Sequence, residues 1–180
     1  MKRKKEILVA VTGGISAYKA CELIRLLRKK GYGVTAALTR NAAKFVTPLT
    51  FRTITSRKVA MEMFDEDMPW EPEHIALADS VDLVAVVPAT ANFIAKLANG
   101  YCDEIISCVI TATKAKVVIA PAMNDNMYNH PTVKENLKKL KSFGYMMIKP
   151  VKGALACGRV GVGHLAEVAA IAGEIEKLLK

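Results

Sequence analysis

Short, wholly apolar runs, each closed by glycine, proline or asparagine and followed by a stretch of helical periodicity, limit what this chain can fold into more than any other feature. Ile7 to Val11 is the first such run, and it ends in Thr12-Gly13-Gly14. An apolar run without polar alternation is the pattern of a strand buried on both faces. Ala17 to Lys30 then places Ala20, Leu23, Ile24 and Leu27 at helical spacing, with Ser16 as N-cap and Gly31 as the stop. Val34 to Leu38 is the second strand, and Asn41 caps a short helix after it. Asp82 to Val87 is a strand expected to break at Pro88, followed by helices from about Ala91 to Asn99 and from Asp103 to Thr111. Lys116 to Ala120 is a strand closed by Pro121, and Thr132 to Phe143 is a helix. Tyr145 to Ile148 is a strand, and Leu165 to Leu179 is the closing helix. This alternation predicts an α/β fold, a doubly wound parallel sheet covered by helices on both faces. No linker or repeat interrupts it, and 180 residues suffice for one domain spanning 1–180 with its own core.

Composition narrows the function classes. No apolar run approaches the roughly 18 residues of a membrane span. The basic start, Met1 to Lys5, meets an apolar stretch too short for a secretory signal, and Thr12-Gly13-Gly14 is a turn, so the expected location is cytoplasmic. Cys21, Cys102, Cys108 and Cys157 form no C-x-x-C pair, and no histidine sits at zinc-ligand spacing, which argues against a disulfide framework and against a metal. The net charge of +9 comes from lysines and arginines spread over helix faces without interleaved aromatics. A solvated surface, not a nucleic-acid footprint, is the expectation, and a basic rim suits a phosphate-bearing small molecule.

Doubly wound sheets bind ligands beyond the C-terminal ends of their strands, so the segments just after each strand carry the information. After the first strand, Gly13, Gly14, Ile15 and Ser16 lead into a helix N-terminus. There the backbone can approach a phosphate, although a plain tight turn has the same composition. The pattern is not the G-x-G-x-x-G dinucleotide fingerprint. Thr39 places a hydroxyl at the same edge after the second strand. After the third, Pro88-Ala89-Thr90-Ala91-Asn92-Phe93 combines small residues, which leave room for a flat ligand, with Thr90 and Asn92 as hydrogen-bonding groups. After the fourth, Pro121-Ala122-Met123-Asn124-Asp125-Asn126-Met127-Tyr128 sets Asn124 between Met123 and Met127, and methionine often lines binding surfaces.

Two further features stand out. His74, in Glu71-Pro72-Glu73-His74-Ile75, is the best base among the three histidines, although a lone histidine is more often structural. The stretch from Lys152 to His164 holds four glycines in 13 residues around Cys157. It is too long and glycine-rich for a plain connection and is expected to be a mobile flap, about 152–164, whose thiol is either an incidental exposed group or, the favoured reading, a proton donor delivered on closure.

Together these segments resemble the homo-oligomeric flavin-containing cysteine decarboxylases, over nearly the whole chain from Ile7 to about Glu174. Gly13 to Lys19 resembles that family's first flavin loop. Pro88 to Phe93 is similar to its P-A-S-A-N-T motif, with Thr90 for serine and Phe93 for the last threonine. Pro121 to Tyr128 is similar to P-x-M-N-x-x-M-W, with Tyr128 for tryptophan. Ala156 to Gly163 resembles the flap of the phosphopantothenoylcysteine decarboxylase branch, and His164 stands where that flap usually carries arginine.

The resemblance implies a Rossmann/flavodoxin-like flavoprotein with bound FMN, its phosphate at Gly13, Gly14, Ile15 and Ser16, aided by Thr39, Ala89, Thr90 and Asn92. It implies 4'-phosphopantothenoylcysteine as substrate, held by Asn92, Met123, Asn124 and Met127, and 4'-phosphopantetheine as product in coenzyme A biosynthesis. His74, Asn124 and Cys157 would be catalytic: His74 as base across a subunit interface, Asn124 on the substrate carboxylate, Cys157 as the acid that protonates the enethiolate. A homotrimer or a multiple of it is implied, as is a phosphopantothenate–cysteine ligase partner, fused or separate. The rival readings are a peptidyl-cysteine decarboxylase giving an enethiol, which needs no Cys157 flap, and a flavin prenyltransferase, which needs none of the three catalytic residues. A non-catalytic flavin-binding regulatory subunit is a third.

Overall fold

The computed structural model describes residues 3–64 and 73–180. Strands β1 (Glu6–Val11), β2 (Gly33–Leu38), β3 (Leu83–Ala89), β4 (Lys116–Pro121) and β5 (Met146–Met147) form one sheet in the order β2-β1-β3-β4-β5. All its neighbours are parallel, and Val9 of β1 lies between Ala36 of β2 and Ala85 of β3. Parallel strands need crossovers, which the helices supply. Two faces of β1 go to two cores. Ile7, Val9 and Val11 pack with α1 (Ala17–Lys29), α2 (Pro48–Thr55) and α8 (Val168–Leu179), including Leu23, Phe51 and Ile171. Leu8 and Ala10 pack against the opposite layer, α3 (Glu73–Ser80), α4 (Ala91–Ala98), α5 (Ile105–Ala112) and α7 (Pro131–Ser142), where Phe93, Ile106 and Leu140 are buried. This two-sided burial explains the unbroken apolar runs, and each fully buried Leu, Ile or Phe stabilises by roughly 1.5–3 kcal/mol.

The doubly wound α/β expectation is met, with four local corrections. β3 does not break at Pro88 but runs on to Ala89. Proline lacks the ladder donor, and the register with β4 shifts between Val86 and Ala89, so the missing N–H falls at an irregularity. The strand expected over 145–148 is reduced to Met146 and Met147. The closing helix starts at Val168, because Leu165 and Ala166 enter the core as an extended lead-in. The stretch 152–164 is not shapeless: β6 (Val151–Ala154) and β7 (Val160–His164) pair antiparallel as a separate two-stranded ribbon. Gly31, at φ 94°, ends α1 as anticipated.

From β1 the chain moves outward to β2 on one side, while β3 lies on the other. The sheet order therefore reverses direction between β1 and β3, and a crevice opens beyond their C-terminal ends.

Candidate active site

Thr12, at the end of β1, ties the two lips of this crevice together. Its Oγ1 donates to the Pro88 carbonyl at 2.8 Å and accepts the Thr90 N–H at 2.9 Å, and its own N–H reaches the same carbonyl at 3.3 Å. Buried and doubly bonded, Thr12 fixes how far the loop after β1 stands from the loop after β3. Gly14 faces that second loop: a Cβ on it would lie 3.6 Å from Thr90 Cγ2. The crevice widens into a cavity of about 1300 Å³, larger than the roughly 300–1,000 Å³ of a site for one small ligand.

Gly13, Gly14, Ile15, Ser16, Thr39, Thr90, Asn92, Met123, Asn124, Met127 and Cys157 all line this cavity. Ser16 precedes α1 without capping it through its side chain, and Thr39 Oγ1 accepts the Ala42 N–H at 3.1 Å, leaving its hydroxyl hydrogen free to donate. Thr90 caps α4 by accepting the Phe93 N–H. Among the described residues, the backbone N–H groups of Ile15 and Ser16 meet no protein acceptor. They stand at the positive end of the α1 dipole, which suits an anion. Ala89 is fully buried in the sheet and does not reach the cavity.

The opposite wall is the short helix α6 (Asp125–Asn129) and the ribbon above it. Asn124 caps α6 through Oδ1, which accepts the Asn126 N–H at 2.9 Å, and this frees Nδ2 to donate to Cys157 Sγ at 3.4 Å. The ribbon is docked at two further points. Met123 N–H donates to the Gly163 carbonyl at 3.0 Å, and Arg159 bonds Asp125 at 3.0 Å. The exposed Cys157 thiol is held below the usual thiol range, first by the Arg159 backbone N–H and then by its guanidinium and the Asn124 amide. The cavity wall also carries Lys19, whose Nζ lies 3.3 Å from His164 Nε2, Arg40, bound to Glu62 at 2.8 Å, and Lys96, bound to Asp103 at 2.8 Å and Glu104 at 3.2 Å. The Asp103 hydrogen bond holds the Lys96 ammonium above its usual range.

His74 does not join this constellation within one chain. It sits half-buried near the start of α3 and is not among the residues lining the cavity, while Glu71 and Pro72 before it lie outside the described residues. Thr12, Lys19, Lys96, Asp103, Glu104 and the Arg40–Glu62 pair belong to the wall without having been singled out in the sequence. Only Thr12 and Lys19 had a signal, their place in the first strand-end loop.

A family model described as Flavoprotein matches residues 1–180. The chain is 46% identical over 167 residues to the coenzyme A biosynthesis bifunctional protein CoaBC of Bacillus subtilis (strain 168), covering 93% of this chain and 41% of that protein. It is 43% identical over 177 residues to the probable phosphopantothenoylcysteine decarboxylase of Streptococcus mutans serotype c, covering 97% and 99%. It thus spans about two fifths of the bifunctional relatives it matches and nearly all of the shorter one. Among solved structures, a cysteine-to-serine mutant of PPC decarboxylase complexed with pantothenoylaminoethenethiol superposes with a TM-score of 0.86 at 28% identity, covering 97% of this chain and 98% of that one. The FMN-dependent cysteine decarboxylase SpaF gives 0.85 at 26%, covering 98% of each chain.

Proposed function

The chain belongs to the flavoprotein family, and on that premise we propose that it catalyses the FMN-dependent decarboxylation of 4'-phosphopantothenoylcysteine to 4'-phosphopantetheine, a step of coenzyme A biosynthesis. The observation that carries the reading is the contact of Asn124 with Cys157 across the roof of the switch-point cavity. An amide able to hold a carboxylate and a thiol able to give a proton face one another over a site with room for both a cofactor and a substrate. The relatives support it: the probable phosphopantothenoylcysteine decarboxylase is matched over 99% of its length.

The residues present fit FMN. The unpaired N–H groups of Ile15 and Ser16, with the Thr39 hydroxyl, would hold its phosphate, while Ala91, Ala122 and Met123 offer a flat wall of small and flexible side chains. When bound, FMN would supply the two-electron redox chemistry needed to oxidise the substrate's cysteine side chain and to reduce it again after CO2 loss. Asn124 orients the carboxylate for that loss. Cys157 gives its proton to the resulting enethiolate, and Arg159 stabilises the thiolate left behind. The ribbon acts as a lid that keeps water from the reactive intermediate. His74, absent from the wall in one chain, would reach the site of a second copy in a homo-oligomer. The bifunctional relatives are the reason to expect a ligase partner.

Cys157→Ser tests this assignment. The variant should still release CO2 but accumulate an unsaturated enethiol, seen by mass spectrometry as a product lacking two hydrogens. Saturated product from the variant at the wild-type rate would sink the role of Cys157, whereas an enethiol product from the wild-type protein would favour the peptide-type reaction.

A further inference from the structure

Two thiols outside the cavity meet at one turn of α5. Cys102 stands in irregular backbone ahead of Glu104, the N-cap of that helix. Its Sγ donates to Thr111 Oγ1 at 3.3 Å and lies 4.0 Å from the Ser107 carbonyl. Thr111 Oγ1 donates to that same carbonyl at 2.8 Å, so the Cys102 thiol rests against the turn between Ser107 and Thr111. Cys108 is part of that turn. It is the fourth residue of the helix, where the entering chain packs back onto it, and its Sγ donates to the Cys102 carbonyl at 3.2 Å. Cys102 is exposed and Cys108 half-buried, and both are free thiols. Burial, and after it the neighbouring Cys102 thiol, push the Cys108 thiol up, as two close thiols should. The other two cysteines lie elsewhere, Cys21 in α1 and Cys157 in the ribbon. Neither Cys102 nor Cys108 lines the cavity, so the pair takes no part in the reaction proposed above and does not rest on it.

We propose that Cys102 and Cys108 form a redox-responsive dithiol, a modification site that reacts with low-molecular-weight disulfides of the glutathione class and closes to an intramolecular disulfide. Cys102, the exposed member, attacks first. Its thiolate bonds to one sulfur of the reagent R–S–S–R, the reagent's S–S bond breaks, and R–S− leaves behind a mixed disulfide on Cys102. Cys108 then loses its proton to water, attacks Cys102 Sγ and expels the second R–S−. Each R–S− takes up a proton, so the two cysteines are oxidised by two electrons and the reagent is reduced to two R–SH. The raised Cys108 thiol is a poor first nucleophile. It serves for the second step because its target is held at the same helical turn. The irregular backbone around Cys102 supplies the movement that closure needs. Asp103, the next residue, lines the cavity and bonds Lys96 at 2.8 Å, which places the site one residue from the cavity wall.

The test is incubation of the native, FMN-loaded protein with oxidised glutathione, followed by an acid quench, alkylation of the unfolded chain, tryptic digestion and mass spectrometry. Cys102 and Cys108 share the fragment 97–114. In the wild-type protein that fragment should lose two hydrogens and its capacity for alkylation, and dithiothreitol added before the quench should restore both. Cys108→Ala should stop at the mixed disulfide, with glutathione on Cys102. Cys102→Ser should leave Cys108 without an adduct and open to alkylation. Alkylation of both cysteines that persists after oxidation, or a glutathione adduct on wild-type Cys102 that never closes, overturns the proposal. An adduct on Cys108 in the Cys102→Ser variant overturns the order of attack.

Discussion

Gly163→Ala is the sharpest mechanical test of the ribbon's part in the reaction. A Cβ at this position would lie 2.1 Å from the Met123 carbonyl oxygen and 3.3 Å from the Asn124 backbone carbon. A carbon–oxygen contact settles near 3.3 Å, so β7 and the α6 turn must separate by about 1.2 Å. That opens the Met123 N–H to Gly163 carbonyl bond, worth about 1 kcal/mol, and lifts Cys157 from Asn124. The loss in stability is small, about 2–4 °C in Tm for a chain of this size. The loss in catalysis is not, since about 1 Å of misplacement between reacting groups costs on the order of 100-fold. The assay is steady-state turnover of 4'-phosphopantothenoylcysteine, with flavin content read by absorbance and unfolding followed by circular dichroism. The expected outcome is kcat reduced by about 100-fold with flavin content and fold retained. A variant that keeps the wild-type kcat would refute the idea that this docking contact holds the catalytic pair, and so would one whose losses all follow from lost flavin.

Other perturbations probe separate links. Thr12→Val removes the hydroxyl that joins Pro88 to Thr90, and each buried polar group left unpaired costs about 1–3 kcal/mol. Thermal unfolding should shift downward by several degrees, and FMN should bind more weakly because the lips of the crevice lose their spacing. Arg159→Ala removes the guanidinium but not the backbone N–H that holds the Cys157 thiol low. A raised thiol pKa means less thiolate at a given pH, so the iodoacetamide rate profile should move to higher pH by part of the native shift. An unmoved profile would take Arg159 out of the thiol's environment. Gly173→Ala in α8, where an added Cβ meets nothing within 4 Å, should stabilise by about 0.5–1 kcal/mol and leave turnover untouched, which provides a control for glycine substitution itself.

The sheet and its ligand-binding edge were legible because burial on both faces leaves an unmistakable mark: Ile7 to Val11 and Lys116 to Ala120 admit no polar residue except at their ends. The loops after β1, β3 and β4 were legible for the same reason, as punctuation between such runs. Pro88 misled because a missing donor stops a strand only where the ladder needs it, and the β3–β4 ladder is irregular there. The ribbon was read as a loop because glycines at 153, 161 and 163 serve close approach to His164, Asp125 and Met123, a tertiary need that looks like flexibility in one dimension. The ion pairs of Lys96 and Arg40 had no local signal, since their partners come from other elements. His74 was singled out in the sequence as a base, yet within one chain it does not line the cavity, and nothing in its local pattern signalled that separation.

The most direct measurement of the central claim is anaerobic incubation of the purified, FMN-loaded protein with 4'-phosphopantothenoylcysteine, with CO2 and product mass followed together. The account requires stoichiometric CO2 and saturated 4'-phosphopantetheine, with the flavin oxidised again at the end. A protein that binds no FMN, or one that binds it and leaves the substrate intact, would contradict it.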